Sequence, residues 1–357
     1  MNRPARALAA TIALTALLAS AACSGGGKPK KSATPTSPVP TMPTSSAAPT
    51  STPPASPAKN PYTGIGPVPT TRTVAVKIDD TAPGRPQVNI DQADIVYIEE
   101  VEGGLTRLLA IFNSRHPYHV GYVRSTRPSD PEMLLQFGRI TEAYSGGAGV
   151  SLNIVHRSGI VSWSNDAGAA YYAREPHPGD HGYINVVLNV AKVAQATKSA
   201  MPKSIGWTFN PSLAGLPVTT GNDIRTRVTG SYAHTSGTAV EFRWSPRLRA
   251  YVRYIDGVAQ RESDGKLITA TNVIVQQCKV ISYPADTDVV GNPSQFTYTV
   301  GSGGVSVFRQ GKRINGTWSR PRTASGTTFR TTAGKPLPLN PGNTWVILVR
   351  NGQPVSG

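Results

Sequence analysis

Ionisable side chains crowd into one stretch of this sequence, residues 75–128, where carboxylates and arginines are separated by glycines and short apolar runs. Three kinds of chemistry suit that composition. Arginine forks can clamp a carboxylate or phosphate, clustered carboxylates can hold a hard cation, and paired carboxylates can act as acid and base on a sugar polymer. A network of structural ion pairs, which needs no ligand, is the fourth interpretation. The residue types alone leave all four open.

The candidate residues follow from these interpretations. The anion-binding candidates are Arg85, Arg107, Arg124 and Arg127, and the cation-binding or acid/base candidates are Asp79, Asp80, Glu99, Glu100 and Glu102. Polar or glycine residues near them complete the set: Gln87, Asp94, Thr106, Ser125, Gly146, Gly147 and His181. The histidines lack zinc-site spacing, and the sequence has no P-loop, Rossmann fingerprint or G-x-S-x-G motif. We therefore predict no metal site and no cofactor; a divalent cation is compatible with the carboxylates but has no further support.

Two strand-like runs in the middle of the stretch predict where these side chains lie. Residues 94–102 and 105–112 are rich in β-branched and aromatic residues and are separated by Gly103-Gly104. This pattern predicts a β-hairpin with a two-residue loop, because both loop positions of such a turn need a positive φ. In that register Glu100 faces Arg107, and we expect the two to form an ion pair. Both faces of the hairpin are apolar enough to be covered, as inside an α/β sheet.

Residues 61–200 are predicted to form an α/β domain with a mixed sheet. Strands are predicted at 72–77, 120–124, 140–144 and 160–163, and helices at 128–137, 150–156 and 185–200. This alternation favours three layers, with helices covering a sheet. Ligand crevices of such sheets lie where strand ends meet glycine-rich turns. We therefore expect the polar clusters at 79–80, 99–107, 124–127 and 145–147 to converge.

Residues 201–357 have a different pattern, in which short strand-like runs follow one another. Strands are predicted at 238–244, 250–255, 272–279, 295–300, 305–310, 313–319, 328–332 and 344–350. Pairs such as Asp256-Gly257 and Gln310-Gly311 are turn signals between them. This half is therefore predicted to be a β-rich sandwich or barrel-like domain, which makes the fold class α+β overall. Cys278, inside one of these strands, is expected to be a small buried residue.

The first 60 residues carry delivery signals rather than a core. Residues 1–22 combine two arginines with an apolar run too short to span a bilayer, which predicts a signal peptide. Cys23 follows Ala-Ala and is predicted to be lipidated, so that two acyl chains hold the protein at the extracytoplasmic face of the cell membrane. An ordinary cleaved signal with an incidental cysteine is the alternative. Residues 23–60, rich in Pro, Ser and Thr, are predicted to be a disordered spacer.

Several segments resemble the signature of a known family. They are AVKIDD (75–80), GRPQ (84–87), QADIVYIEEVEGGLTRLLAIF (92–112) and GYVRSTRP (121–128), followed later by TATNVIVQQ, GKRINGTW and PGNTWVILV. Together they are similar to the YerB-like family of bacterial lipoproteins, known as domain of unknown function 3048. Asp80 stands where that family usually has Asn, and Glu99 and Glu100 straddle its usual Glu. The resemblance covers most of residues 62–349 and implies an envelope location and two parts, but no reaction.

Charge differs sharply between the two halves. Residues 61–200 contain 12 Lys and Arg against 13 Asp and Glu, whereas residues 201–357 contain 18 against 7. A basic domain tethered outside a membrane attracts anionic neighbours such as phospholipid heads or wall polymers; nucleic acid is not expected outside the cell. The leading hypothesis is a membrane-anchored envelope lipoprotein that binds an anionic polymer or a partner protein. The alternatives are a wall-acting hydrolase or transferase that uses carboxylates of residues 79–107, and a purely structural scaffold.

Overall fold

The structure, a computed structural model, describes residues 58–228 and 238–357. The predicted signal peptide, Cys23 and nearly all of the predicted spacer lie outside the described residues. Asn60, at the predicted end of the spacer, already belongs to the folded body, because it is buried and its Nδ2 donates to Ser114 Oγ at 2.9 Å. Within the described ranges, no helix combines the length and apolar character needed to cross a bilayer.

Strands dominate the described residues, and helices are few and short. The strands are β1 Val74–Asp79, β2 Ile95–Glu100, β3 Thr106–Phe112, β4 Val120–Gly121, β5 Thr141–Tyr144, β6 Val161–Ser164, β7 Tyr172–Arg174, β8 Val186–Leu188, β9 Thr219–Thr220, β10 Asp223–Val228, β11 Thr238–Ser245, β12 Ala250–Ile255, β13 Val258–Ala259, β14 Thr269–Ala270, β15 Asn272–Cys278, β16 Val280–Thr287, β17 Pro293–Thr297, β18 Gly301–Arg309, β19 Lys312–Arg320, β20 Thr328–Thr331 and β21 Thr344–Arg350. The α-helices are α1 Asp130–Leu134, α2 Gly149–Ser158 and α3 Val190–Ala196, and the 3₁₀ turns are Ala82–Gly84, Ile90–Gln92, Glu102–Gly104 and Leu135–Phe137.

One large sheet joins the two halves of the chain. Its order is β20-β19-β18-β15-β21-β2-β3-β1-β5-β6, and β9 pairs with β19. At its centre β2, from the first half, pairs in parallel with β21, from the second, in a register that runs from Ile95 opposite Thr344 to Ile98 opposite Ile347. The described residues fall within one compact unit, residues 55–357. The two predicted domains therefore share backbone hydrogen bonds, and their boundary near residue 200 stays a prediction.

Both faces of the large sheet are covered. On one face, Ile98 and Leu108 pack with Phe242 of the five-stranded sheet β10-β11-β12-β13, to which β14 adds by pairing with β12. On the other face, Tyr97 and Leu109 pack with Met133 of α1. Every residue of β2 and β3 is buried, which confirms that both faces of the hairpin are covered. A charged side chain on these strands must therefore have a partner, because an isolated buried charge costs several kcal/mol.

The β-rich character of the fold is confirmed, but a separate three-layer α/β domain in residues 61–200 is wrong. The predicted helix at 185–200 begins with strand β8, and only α3 is helical. Asn189 accounts for the change, because its side chain accepts a hydrogen bond from the Lys192 N–H at 2.9 Å and so begins the helix there. Strands β4, β8 and β7 form a small sheet of their own.

All eight strands predicted in residues 201–357 are present, with ends within a few residues of those expected. They do not form a sandwich or barrel of their own, however. Strands β15 and β21 lie inside the large sheet, whereas β11 and β12 belong to the five-stranded sheet. The reason is that β21 is apolar on both sides and almost completely buried, so it needs neighbours on both faces.

The hairpin register differs from the predicted one by a single residue. Ile98 pairs with Leu108 and Glu99 pairs with Arg107. The loop is longer than Gly103-Gly104, because the Val101 N–H bonds to the Leu105 carbonyl at 2.9 Å and residues 102–104 form a 3₁₀ turn. Since strand side chains alternate between faces, this shift moves Glu100 and Arg107 to opposite faces of the sheet. The predicted Glu100–Arg107 pair is therefore wrong.

Candidate functional site

Polar residues meet at one edge of the large sheet. Strand β3 runs antiparallel to both β1 and β2, so β1 and β2 end at the same edge. Strand β5 pairs in parallel with β1, and β21 pairs in parallel with β2, so their last residues lie there as well. The clusters at 79–80, 99–107, 124–127 and 145–147 are consequently brought together. The side chains divide between the two faces of the sheet.

A fully buried lysine lies among carboxylates on the α1 face. Lys77 Nζ contacts Glu99 Oε1 and lies 2.7 Å from Asp130 Oδ1. Asp130 Oδ2 accepts the Arg127 N–H at 2.7 Å, and the Thr126 hydroxyl donates to Glu142 Oε1 at 2.6 Å. Burial, with the nearby charge of Asp130, raises the pKa of Glu142 well above its ordinary value.

Three arginines share two carboxylates next to this lysine, and we call Arg107, Arg124 and Arg127 the arginine cluster. Asp79 Oδ2 lies 2.9 Å from Arg124 Nε and 3.8 Å from Arg107 Nε. Arg127 Nη2 lies 2.6 Å from Glu102 Oε2. Burial raises the pKa of Glu102, but Arg127 outweighs it, and the net effect is a lowered pKa. Counting these five side chains, the cluster carries one more positive than negative charge.

Arg107 is the most buried member of the arginine cluster. Its side chain is 7% exposed, compared with 21% for Arg124 and 10% for Arg127. Its Nε and Nη1 atoms are buried and have no hydrogen-bond partner among the described residues. Burial, and then the charges of Arg127 and Arg124, lower the pKa of Arg107 to about 9. Buried donors without acceptors cost free energy, so this guanidinium has donors that its surroundings leave unsatisfied.

The glycine-rich turn after β5 positions α2 and the Arg127 loop. The Thr126 N–H donates to the Gly146 carbonyl at 3.0 Å, and a Cβ on Gly146 would overlap the carboxylate of Asp166. The first turn of α2 is already occupied, since Asp286 accepts the Ser151 N–H at 3.1 Å and its hydroxyl at 2.8 Å. Gly146 and Gly147 therefore form the turn between β5 and α2, and the N-terminus of α2 already faces the carboxylate of Asp286.

The opposite face holds a second group of candidates. Asp80 accepts two hydrogen bonds from Arg253 Nη2, at 2.7 and 2.8 Å, and one from the Thr106 hydroxyl at 2.7 Å. Gln87 Nε2 reaches the Asp79 carbonyl at 3.3 Å. Arg85 is half-buried and donates to the Thr81 carbonyl at 3.0 Å; burial lowers its pKa. This group ties the large sheet to β12 through a buried ion pair.

Glu100 has a partner from the far end of the chain. Arg350, the last residue of β21, donates from Nε and Nη2 to the two Glu100 oxygens, both at 2.9 Å. Burial raises the pKa of Glu100, and the contact with Arg350 opposes that rise. This fork replaces the predicted Glu100–Arg107 pair. Glu99 and Glu100, which are neighbours along β2, thus belong to different ion pairs on opposite faces of the sheet.

Three further candidates contribute no side-chain hydrogen bond to the arginine cluster or to the ion pairs of Asp80 and Glu100. Asp94 precedes β2 and lies about 20 Å from Glu100 along the strand, at roughly 3.3 Å per residue; its carboxylate accepts the N–H groups of Asn113 and Ser114. His181 is exposed, and its ring stacks 6.3 Å from that of Tyr183, over which Arg124 lies at 5.5 Å. Ser125 contributes only its carbonyl, which accepts from Arg127 Nη1 at 3.2 Å.

The carboxylates are not arranged as a cation site. Each faces a basic group: Asp79 faces Arg124, Asp80 faces Arg253, Glu99 faces Lys77, Glu100 faces Arg350 and Glu102 faces Arg127. Among residues 58–228 and 238–357, no group of three or more His, Cys, Asp or Glu side chains could hold a metal ion. Cation binding by these carboxylates stays a hypothesis that the geometry does not support.

Sequence reasoning missed several partners at this edge. They are Lys77, Thr126, Asp130, Glu142, Arg253, Ser294 and Arg350. Two of them carried a usable signal, because Lys77 and Glu142 are charged residues inside short strands, VAVKID and TEAY, that are otherwise largely apolar. Such residues must be paired when they are buried. Arg253 and Arg350 lie far away in the sequence, and only the sheet order brings them to this edge.

Two models of one known protein family match this sequence. The model described as "Protein of unknown function (DUF3048) N-terminal domain" matches residues 62–203, and the DUF3048 C-terminal domain matches residues 228–346. The chain belongs to the DUF3048 family. The two family domains thus correspond to the two stretches whose strands β2 and β21 pair at the centre of one sheet.

A relative and a solved structure from the same bacterium agree with the DUF3048 assignment. The protein named "Putative lipoprotein YerB" from Bacillus subtilis (strain 168) is 25% identical over an alignment of 291 residues that covers 78% of this chain and 81% of YerB. The crystal structure of YerB from Bacillus subtilis has a TM-score of 0.68 at 21% identity and covers 84% of this chain and 100% of the YerB chain. This chain and YerB therefore share a fold.

Proposed function

We propose that this protein is a lipid-anchored protein of the bacterial envelope whose folded body binds an anionic group of an envelope polymer or partner protein at the arginine cluster. The observation that carries the proposal is Arg107, a guanidinium that is 7% exposed and whose Nε and Nη1 have no hydrogen-bond partner among the described residues. A bound oxyanion would supply the acceptors that these donors need.

The envelope location is supported by the N-terminal sequence and by a relative. An arginine-containing apolar segment precedes Cys23, and YerB is named as a lipoprotein. A net charge of +16 favours anionic surroundings such as phospholipid heads and wall polymers. The anchor would keep the folded body close to both.

The shape of the ligand group follows from the donors. Guanidinium groups bind carboxylates and phosphates through pairs of parallel N–H donors. Arg124 is the most exposed member of the arginine cluster and gives the anion a path from solvent, whereas Arg107 lies deeper. The surplus positive charge means that a single negative group would neutralise the cluster.

The enzymatic alternative receives no support from the described residues. A glycosidase needs one protonated and one ionised carboxyl group facing a sugar. Glu102, whose pKa is lowered, is held by Arg127 and Ser294. Glu142, whose pKa is raised, is completely buried behind Thr126. A hydrolase or transferase therefore stays a hypothesis without a site, and binding is the function that the geometry favours.

The first experiment measures thermal unfolding of the full chain carrying Cys23→Ser, with inorganic phosphate as the probe and chloride at equal ionic strength as the reference. Phosphate should stabilise the protein by about 2.7 kcal/mol at a hundred times its Kd. In Arg107→Gln we expect no phosphate response and an unfolding temperature in chloride equal to or above that of the parent, because an unsatisfied buried charge is removed. Arg247→Gln, in the exposed β11–β12 turn, is the control and should respond as the parent does.

The outcomes separate the proposal from a purely structural role. If Arg107 only neutralises Asp79, Arg107→Gln will be markedly less stable in chloride and phosphate will have no effect on the parent, which would overturn anion binding. Co-sedimentation with purified cell-wall sacculi, and with vesicles containing anionic lipid, then identifies the source of the anion. The source of the anion is the material, sacculi or vesicles, to which Arg124→Gln binds more weakly than the parent while Arg247→Gln binds equally well.

A further inference from the structure

We propose that Lys77 and Glu99 condense to form an intramolecular isopeptide bond that ties β1 to β2 across β3. The proposal is independent of the anion site. Lys77 Nζ contacts Glu99 Oε1, and both side chains are completely buried. The product is an amide between Lys77 Nζ and the carboxyl carbon Cδ of Glu99, with water as the only by-product.

The arrangement brings the two reacting groups together without solvent. Lys77 pairs with Leu109 of β3, and Glu99 pairs with Arg107 of the same strand, so the two side chains meet over the middle strand on the α1 face. Holding a nucleophile against its electrophile gives an effective concentration on the order of 10⁵–10⁸ M. Burial also lowers the pKa of Lys77 and so favours its neutral amine, which is the form that attacks a carboxyl carbon.

Asp130 is placed to move protons. Its Oδ1 accepts from Lys77 Nζ at 2.7 Å, while its Oδ2 is fixed by the Arg127 N–H at 2.7 Å. The Ser129 hydroxyl donates to the other Glu99 oxygen, Oε2, at 3.1 Å. Asp130 thus orients the amine, and Ser129 orients the carboxyl group. The helix start that carries both residues is buried against β1 and β2.

The step balances in atoms and protons. A proton passes from the Lys77 ammonium to Glu99, which leaves a neutral amine and a carboxylic acid. The Nζ lone pair attacks Cδ, and a second N–H proton passes through Asp130 to the departing hydroxyl group, which leaves as water. The amide nitrogen keeps its third proton, Asp130 returns to its starting state, and no oxidant, metal or cofactor is needed.

Other ion pairs of the protein show why this one is singled out. Arg124, Arg127, Arg253 and Arg350 also bind buried carboxylates, but a guanidinium is a poor nucleophile because it stays protonated. The pair Lys266–Asp264 contains a lysine, but its side chains are 67% and 44% exposed. Within the described ranges, Lys77 combines a primary amine with exclusion of water, and it faces two carboxylates, Glu99 and Asp130. Asp130 is held by the Arg127 N–H, which leaves Glu99 as the partner for the new bond.

Mass spectrometry tests the bond directly on the folded, full chain. The intact mass should be lower than the sequence mass by one water, about 18 Da. The same loss should appear in a tryptic peptide that spans residues 73–107, because trypsin does not cut after a lysine whose side chain is an amide. On fragmentation, this peptide should release no backbone fragments from between Lys77 and Glu99, because the cross-link holds that segment in a ring. In Lys77→Arg and Glu99→Ala the loss should disappear. The control Glu100→Gln, which alters the neighbouring pair with Arg350, should keep it.

Each result decides the matter. A folded parent with the full sequence mass overturns the proposal, as does a water loss that maps to another position, including a link between Lys77 and Asp130. Asp130→Asn tests the positioning role: a variant with native circular dichroism and the full sequence mass supports it, and one that still loses water refutes it. If Asp130→Asn does not fold, the parent protein is used instead. Parent protein that is recovered in the unfolded state should have the full sequence mass, and it should lose one water only after it has been refolded.

Discussion

Single side chains at the strand ends show how far residue types can be interpreted without a structure. The sequence indicated an edge rich in arginines and carboxylates, and the structure places those clusters together. It did not indicate which charge faces which, because Glu99 and Glu100 differ by one position and lie on opposite faces of β2. Partners such as Arg253 and Arg350 become visible only with the sheet order.

The first prediction concerns the fork between Arg350 and Glu100. Arg350→Met should lower the free energy of unfolding by about 3 kcal/mol, because it leaves a buried carboxylate without its partner. Replacing both residues, as Glu100→Gln with Arg350→Met, should cost less than the single change. Urea unfolding of the parent, both single variants and the double variant measures the coupling energy. A coupling near zero would show that the fork does not form.

The second prediction concerns pH and Glu262. This side chain is 3% exposed and accepts the Asp91 N–H at 2.8 Å and the Ile90 N–H at 3.3 Å. Burial, and then the charge of Asp91, raise the pKa of Glu262 from 4.5 to about 8. Between those values the folded protein holds a proton that the unfolded chain has released, so stability falls as pH rises through this range.

Glu262→Gln isolates that contribution, because the amide keeps a carbonyl acceptor for Asp91 and cannot ionise. The stability of the variant relative to the parent should therefore increase from pH 5 to pH 9, and the difference should level off above about pH 8. Unfolding curves of both proteins across this range are the measurement. Two curves that stay parallel would mean that Glu262 titrates normally in the folded protein.

At the scale of elements, the strands were predicted well and their register was not. Alternating and β-branched segments indicated β11, β12, β15 and β21 nearly to the residue. The loop between β2 and β3 was misjudged because Gly103-Gly104 suits either a two-residue turn or the longer loop that the structure has. The apolar segment 186–188 fits a strand or a helix equally well, and Asn189 makes the difference.

The third prediction tests the left-handed conformation of Gly103 in the loop between β2 and β3. Gly103 has a φ of +62° and a Cβ there would meet nothing within 4 Å, so Gly103→Ala should cost about 1 kcal/mol through backbone strain alone. Gly149, in the first turn of α2, has equal space and no positive φ. Gly149→Ala should therefore be neutral or slightly stabilising. Equal losses in the two variants would contradict the left-handed conformation at Gly103.

At the scale of the whole molecule, the predicted division at residue 200 separates strands that are hydrogen-bonded to each other. Composition and charge change there, and the two family matches also divide near it. The core does not follow that division, because Trp345 of β21 packs with Phe242 and Ile98 on the same face of the large sheet. Composition and residue spacing indicate local secondary structure, whereas the order of strands in the sheet depends on contacts between segments that are distant in the sequence.

The fourth prediction follows from the shared sheet. The full chain should unfold in one cooperative transition, and a fragment of residues 58–200 should remain unfolded by itself because β2 loses its neighbour β21. Calorimetry of the chain and circular dichroism of the fragment are the measurements. A fragment with native-like near-ultraviolet dichroism and a sharp melting transition would show that the first family domain folds alone.

The pairing of β2 with β21 also bears on when the protein can fold. About 250 residues separate Glu100 from its partner Arg350, so the central sheet cannot close until the ribosome has made nearly all of the described chain. Contacts of such long range form slowly. During synthesis the first strands therefore remain without their partner β21. The placement of β21 makes completion of the chain a condition for closing the central sheet.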